Sequence, residues 1–174
     1  MNEIEYLCTI SSGPISSSIA FQTRFDGTHS LLLDRASADK QIIEALAHVP
    51  GDPWWQPGRV AIRSLADYAP DMECYWYKTK NEEFNHRAAW DFALKQVGMP
   101  YDYLGCARFV SRRSHAVEDV VRWFCSELAT VASLVGGDQV QYLPAWAISP
   151  KLHCCSPDHT QPKRMRIGEV LDAR

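Results

Sequence analysis

The chain changes its hydrophobic period once, and that switch limits the folds open to it. Before residue 80 the apolar residues fall in short runs, "EYLCTI", "HSLLLD", "GRVAIRSL" and "MECYWYKT". These read as β-strands, separated by turn residues such as "DGT" and "PGDP". "SSGPISSS" reads as a loop and "IAFQTRF" as a further strand-type run. "QIIEAL" is open between strand and helix, because Ile42, Ile43, Ala45 and Leu46 fit either period. From "NEEFNHRAAWDFALKQVG" onward the spacing turns helical. Phe84, Ala88, Phe92 and Val97 form a stripe that Gly98 and Pro100 close. "YDYLGCARFV" reads as a connector, and "HAVEDVVRWFCSELATVASLVGG" as a second helical region ending at Gly136 and Gly137. The tail is Pro-rich, with a short helix expected after Ser149 and Pro150 and a last strand near "RMRIGEV". Strands early and helices late predict an α+β fold.

At 174 residues, without a linker or a repeat, one domain over 1–174 is expected. Hydrophobic residues make up 46% and charged residues 22%, a globular composition. The formal net charge is −3 and no block of Lys or Arg occurs, which argues against a nucleic-acid partner. No apolar run is long enough to span a bilayer, and "MNEIEYLCTISSG" lacks the basic and apolar regions of a signal peptide. The expected location is the cytoplasm, with export by a dedicated machine or release by lysis left open. The sequence carries no mark of oligomeric state.

Six cysteines are present at irregular spacing, which favours reduced thiols over a disulfide framework. "HCCSPDH" at 153–159 does not have the paired C-x₂₋₄-C spacing of a structural zinc site, so no metal and no organic cofactor is expected. Cys125 has two readings. Free cysteine is often a small buried hydrophobe, and Cys125, Leu128, Ala129 and Ala132 share one helical face. A helix N-terminus, however, favours the thiolate, and a nucleophilic cysteine needs a base with a group to orient it. His29 is the candidate base, because it leads an otherwise apolar strand. His48, His86, His115 and His159 read as solvated. Glu44, an acid among apolar residues, is the candidate orienting group, with Asp34 at the end of the His29 strand as its rival.

The order of the motifs adds a resemblance. "SIAFQTRFDGTHSLLLD", "IIEAL", "VGMPYDYLG", "WFCSEL" and "ISPKL" follow one another over residues 15–152. In this order they resemble the circularly permuted NlpC-type papain-like superfamily, most closely its YiiX/YebB-like branch and more distantly the lecithin:retinol acyltransferases. In that group the histidine precedes the cysteine in the chain. The resemblance implies an antiparallel β-sheet or barrel packed against helices, with the nucleophile at a helix N-terminus. It implies Cys125 as nucleophile, His29 as base, Glu44 as third member, and Tyr101, next to Asp102, near bound substrate. The activity implied is that of a cysteine peptidase, amidase or acyltransferase working through a thioester on peptides, isopeptides or acyl esters. A non-catalytic binding protein on the same fold is the alternative.

Overall fold

In a computed structural model, which describes residues 3–111, 121–138 and 143–173, antiparallel pairing builds one sheet outward from the first strand. β1 (Ile4–Thr9) lies between β2 (His29–Asp34) and β5 (Glu73–Tyr77), antiparallel to both. β3 (Gln41–Leu46) extends the sheet beyond β2, β4 (Arg59–Ser64) forms one edge, and β6 (Lys163–Arg166) forms the other beside β5. The order is β4-β3-β2-β1-β5-β6, so the sheet is open and antiparallel rather than a closed barrel. "QIIEAL", open in the sequence, is a strand, paired along its whole length with β4 from Gln41↔Ser64 to Leu46↔Arg59.

Six helices complete the fold among the described residues. They are α1 (Pro14–Thr23), α2 (His86–Lys95), α3 (Tyr103–Ser111), α4 (Cys125–Gly136), α5 (Pro150–Cys154) and α6 (Ile167–Asp172). α4 is the central one. Its Leu128, Ala129 and Ala132 pack on Ile4, Tyr6, Cys8, Leu32 and Ile43 from one sheet face, together with Ala89, Trp90 and Ala93 of α2. Small residues let α4 come close to its neighbours. A Cβ at Gly136 would sit 2.2 Å from the Phe84 ring. On the other sheet face Leu7, Leu31, Leu33, Ile42 and Cys74 are covered by Ile167 and Val170 of α6 and by Leu65. Each fully buried aliphatic side chain contributes about 1.5–3 kcal/mol, so both faces hold the sheet.

Three elements differ from the sequence expectation. "IAFQTRF" alternates like a strand but lies in α1, which starts with Pro14 at its first turn and ends at Arg24 in the left-handed region. Among its described apolar side chains only Ile19 is deeply buried, and Phe21 is 87% exposed, so the strand-type run does not report a buried face. "YDYLGCARFV" is no plain connector. α3 begins after Asp102, whose Oδ1 accepts from the Gly105 N–H at 2.8 Å. The second helical region starts later than its pattern, because residues 121–124 are not helical. Its beginning at 115–120, with His115, lies outside the described residues.

Gly58 holds the base of the loop between β3 and β4. Its N–H donates to the Tyr103 hydroxyl at 2.8 Å, and its carbonyl accepts from the Tyr101 N–H at 2.8 Å. A Cβ there would meet the carbonyl oxygens of Leu46 and Ala47 at 2.1 and 2.4 Å, and these are backbone atoms that cannot swing aside. Gly58→Ala is expected to cost about 1–3 kcal/mol, read as a lower urea midpoint at unchanged m-value.

Candidate active site

Cys125 is the first residue of α4, and the preceding Phe124 is extended and offers no capping side chain. The uncapped first-turn N–H groups therefore act on the sulfur, the position at which a helix favours a thiolate. The His29 side chain and the backbone of Ser30 and Ser126 are the groups that act on the sulfur. It thus sits at the end of the sheet where β2 begins. This explains how a residue of a helix on one sheet face meets His29, which shares its side of the strand with Leu31 and Leu33.

Glu44 lies on β3, one strand over, and is fully buried. Its Oε2 takes the Nε2 of His29 at 2.6 Å and accepts the Tyr68 hydroxyl at 2.6 Å, while Oε1 accepts Nη1 of Arg63 at 3.1 Å. With Nε2 held by the carboxylate, Nδ1 is the imidazole nitrogen left to face the sulfur. Asp34 is at the far end of β2 and accepts the Ala36 N–H as a turn residue, so it does not approach His29.

The electrostatics follow from these contacts. Burial alone would raise the Cys125 pKa, but the hydrogen bond and charge of His29, with the N–H groups of Ser30 and Ser126, bring it below the ordinary thiol value. Burial alone would lower the His29 pKa, yet Cys125 and Glu44 on its two sides push it up to about 10. Burial opposes ionisation of Glu44 as well, and His29, Tyr68 and Arg63 outweigh it and hold the carboxyl below its usual range. Each of the three shifts favours the charged form of its group, thiolate, imidazolium and carboxylate.

Tyr101 lines the same cavity as Cys125 and His29, a space of about 470 Å³ walled by α1, the β3–β4 loop and the start of β2. It is held there by a short parallel bridge to Trp123. Burial, and then the charge of Cys125, push its hydroxyl pKa upward, so it stays a neutral phenol. The structure thus brings together Cys125, His29, Glu44 and Tyr101. It adds two residues that sequence reasoning missed, Arg63 and Tyr68, which share Glu44 and stack on each other at 5.2 Å. Arg63 faces the acid diagonally across β3 and β4, a signal that appears only once the register Ile42↔Arg63 is known. Tyr68 comes from the 3-10 turn after β4 and carries no local signal.

Two expectations about the remaining histidines change. His159 is not solvated but buried at 1% exposure, because the tail folds back and bridges Thr79. His86 is half-buried, and its Nδ1 accepts the Ile4 N–H at 3.0 Å. His153, in "HCCSPDH", is hydrogen-bonded at both nitrogens, to the Tyr77 hydroxyl at 2.8 Å and the Ser133 hydroxyl at 3.2 Å.

No protein-family model and no curated protein matches the sequence. Among solved structures, the chain is similar to the metalloprotein YiiX from Escherichia coli O157:H7, with a TM-score of 0.65 and 16% identity. The match covers 90% of this chain and 93% of that one. The likeness is one of fold, and it agrees with the YiiX-like branch to which the motifs pointed.

Proposed function

We propose that this chain is a cysteine-dependent hydrolase or acyltransferase built on a permuted papain-like fold. The observation that carries the reading is the unbroken line from the Cys125 sulfur through His29 to the buried Glu44, closed at 2.6 Å on the acid side. In this reading the thiolate attacks the substrate carbonyl carbon. The oxyanion is held by the Cys125 N–H and a neighbouring donor. His29 gives its proton to the departing amine or alcohol as the C–N or C–O bond breaks, leaving a thioester. Water or another nucleophile, deprotonated by His29, then takes the acyl group as the thioester C–S bond breaks, which restores the thiolate and the imidazolium. Glu44 positions the imidazole and stabilises its charge, and Arg63 and Tyr68 keep Glu44 ionised.

YiiX is described as a metalloprotein. The donor set among the described residues does not fit a metal centre. Among the described residues no three His, Cys, Asp or Glu side chains lie together in a way that could hold an ion. At the Cys125 site one imidazole nitrogen is already taken by Glu44. No step is therefore routed through a metal.

The reading is tested by incubating the protein with cell-wall peptides, isopeptides and acyl esters, and mapping any acyl adduct by mass. An adduct on the Cys125 peptide that hydroxylamine removes is the expected result. Turnover that survives Cys125→Ala would refute the reading. His29→Ala is expected to lower turnover by about 10²–10⁴-fold.

Thiol acidity gives a test independent of substrate. Iodoacetamide at about pH 6 is expected to modify Cys125 ahead of the other five cysteines, since an ordinary thiol of pKa about 8.5 is protonated there. His29→Ala should cancel that lead, and Glu44→Gln should reduce it less. Peptide mapping after a short exposure reads the order, and a Cys125 modified last speaks for the buried-hydrophobe reading.

The two pKa shifts also set the pH profile. Lowering the cysteine value moves the acid limb of kcat/KM below about 8.5, the ordinary thiol position. Raising His29 to about 10 keeps the imidazolium acid available far above the usual histidine range, so the alkaline limb should fall near that value. A rate that already declines near pH 6.5 would show that the imidazolium is not held in this way.

A further inference from the structure

The cavity has one wall with no part in the line from Cys125 to Glu44. It is formed by the turn from β1 into α1 and by the residue before β2, and Thr9, Ser11, Ser12, Gly13, Ser16 and Thr28 line it. Thr9 is the cross-strand partner of His29, so it stands beside the imidazole. Its side chain is 1% exposed, yet its Oγ1 has no hydrogen-bond partner. A buried hydroxyl left in this state is unfavourable unless something else satisfies it.

Its surroundings supply donors. Ser16, Ser11 and Thr28 form a chain of hydroxyls, with Oγ–Oγ 3.0 Å between the serines and 2.9 Å from Ser11 to Thr28. Three hydroxyls bring three protons and their two mutual bonds use two, so one proton remains to be given. α1, ten residues long, begins at the same wall. Gly13 provides no capping side chain and Pro14 has no N–H, so the N–H groups of the next two residues are the first that the helix presents. Among the described residues that line the cavity there is no Asp or Glu. The guanidinium of Arg63, which is among them, is engaged by Glu44 and Asp67. The opposite wall, Ala45, Leu46, Ala47 and Pro50, is apolar except for His48, which lies between the last two in the chain and is exposed.

From the unpartnered Thr9 hydroxyl beside the uncapped start of α1, we propose that this wall is a subsite for a carboxylate on the substrate. The acyl compounds delivered to Cys125 are then acidic ones, with a carboxylate a few bonds from the carbonyl that is attacked. Neutral donors without an uncommitted Lys or Arg suit a monoanion rather than a dianionic phosphate, which draws on charged partners. The substrate class rests on Cys125 being the nucleophile, while the subsite itself can be measured without turnover.

The test is calorimetric titration of the whole protein with glutarate, with glutaramide as the uncharged control, alongside iodoacetamide labelling of Cys125. Saturable binding of glutarate but not of glutaramide is expected. Thr9→Val should weaken it about tenfold, the loss of one hydrogen bond to a charged group, and Ser11→Ala should weaken it as well. Thr9→Val should hold or raise the melting temperature, because a methyl of the same size replaces a hydroxyl that has no partner in the fold. A hydroxyl with a merely structural role would lower the melting temperature instead. Absence of glutarate binding, or binding unchanged in both variants, overturns the subsite. Where binding holds, the ratio of kcat/KM for the p-nitrophenyl monoester of glutaric acid to that for p-nitrophenyl butyrate should exceed one and fall in Thr9→Val. Equal turnover of the two esters overturns the substrate class. Glutarate binding beside a Cys125 that iodoacetamide never modifies overturns the nucleophile reading, and the substrate class with it.

Discussion

A carboxylate with no exposure to solvent is the constraint around which this site is arranged. Glu44 sits inside the sheet, where an isolated charge is costly, and it stays ionised because an imidazole, a guanidinium and a phenol all donate to it. These three partners come from β2, β4 and the turn after β4, so the sheet register and the charge depend on each other. Slipping β3 by one residue against β4 would turn Glu44 to the opposite face and break every one of these bonds. The acid is thus a register pin as well as an electrostatic partner of His29.

The thiol depends on that arrangement at one remove. The helix start alone favours the anion modestly, since such effects fade within a turn. The larger contribution comes from the His29 imidazole, whose pKa is raised by Cys125 itself and then by Glu44. A cysteine in this position without the acid would be nearer to the inert buried type that its apolar neighbours Leu128, Ala129 and Ala132 suggest. The two readings of Cys125 in the sequence therefore differ by a residue 81 positions away.

Much of the fold could be read from the chain because the strands β1, β2, β4 and β5 and the helix α2 carry their period openly. What stayed hidden has particular causes. α1 alternates apolar and polar residues without burying the face that the alternation implies, since Phe21 points to solvent. α3 has a helical period, but the Tyr, Gly and Pro in and around its short span read as a connector. At the site, Cys125, His29 and Glu44 were legible from residue type and motif order, and choosing Glu44 over Asp34 needed the third dimension. Arg63 and Tyr68 could not be picked out, because their meaning comes from a diagonal across two strands and from a turn. Thr9 is a similar case. A threonine ending a strand is ordinary in sequence, and only its burial without a partner sets it apart.

The scattering of the site along the chain also bears on how the protein is made. Residues 29, 44, 68 and 125 come from four separate elements, and β1, the central strand, pairs with β5 across a long stretch of chain. Such non-local pairing forms late and slowly. Until it forms, Cys125 has neither its imidazole nor its helix end, and its thiol has only the acidity of any cysteine in an unfolded chain. On the proposed function, the sulfur gains its acidity together with the cavity that limits what can reach it, so a folding intermediate would not carry an exposed nucleophile.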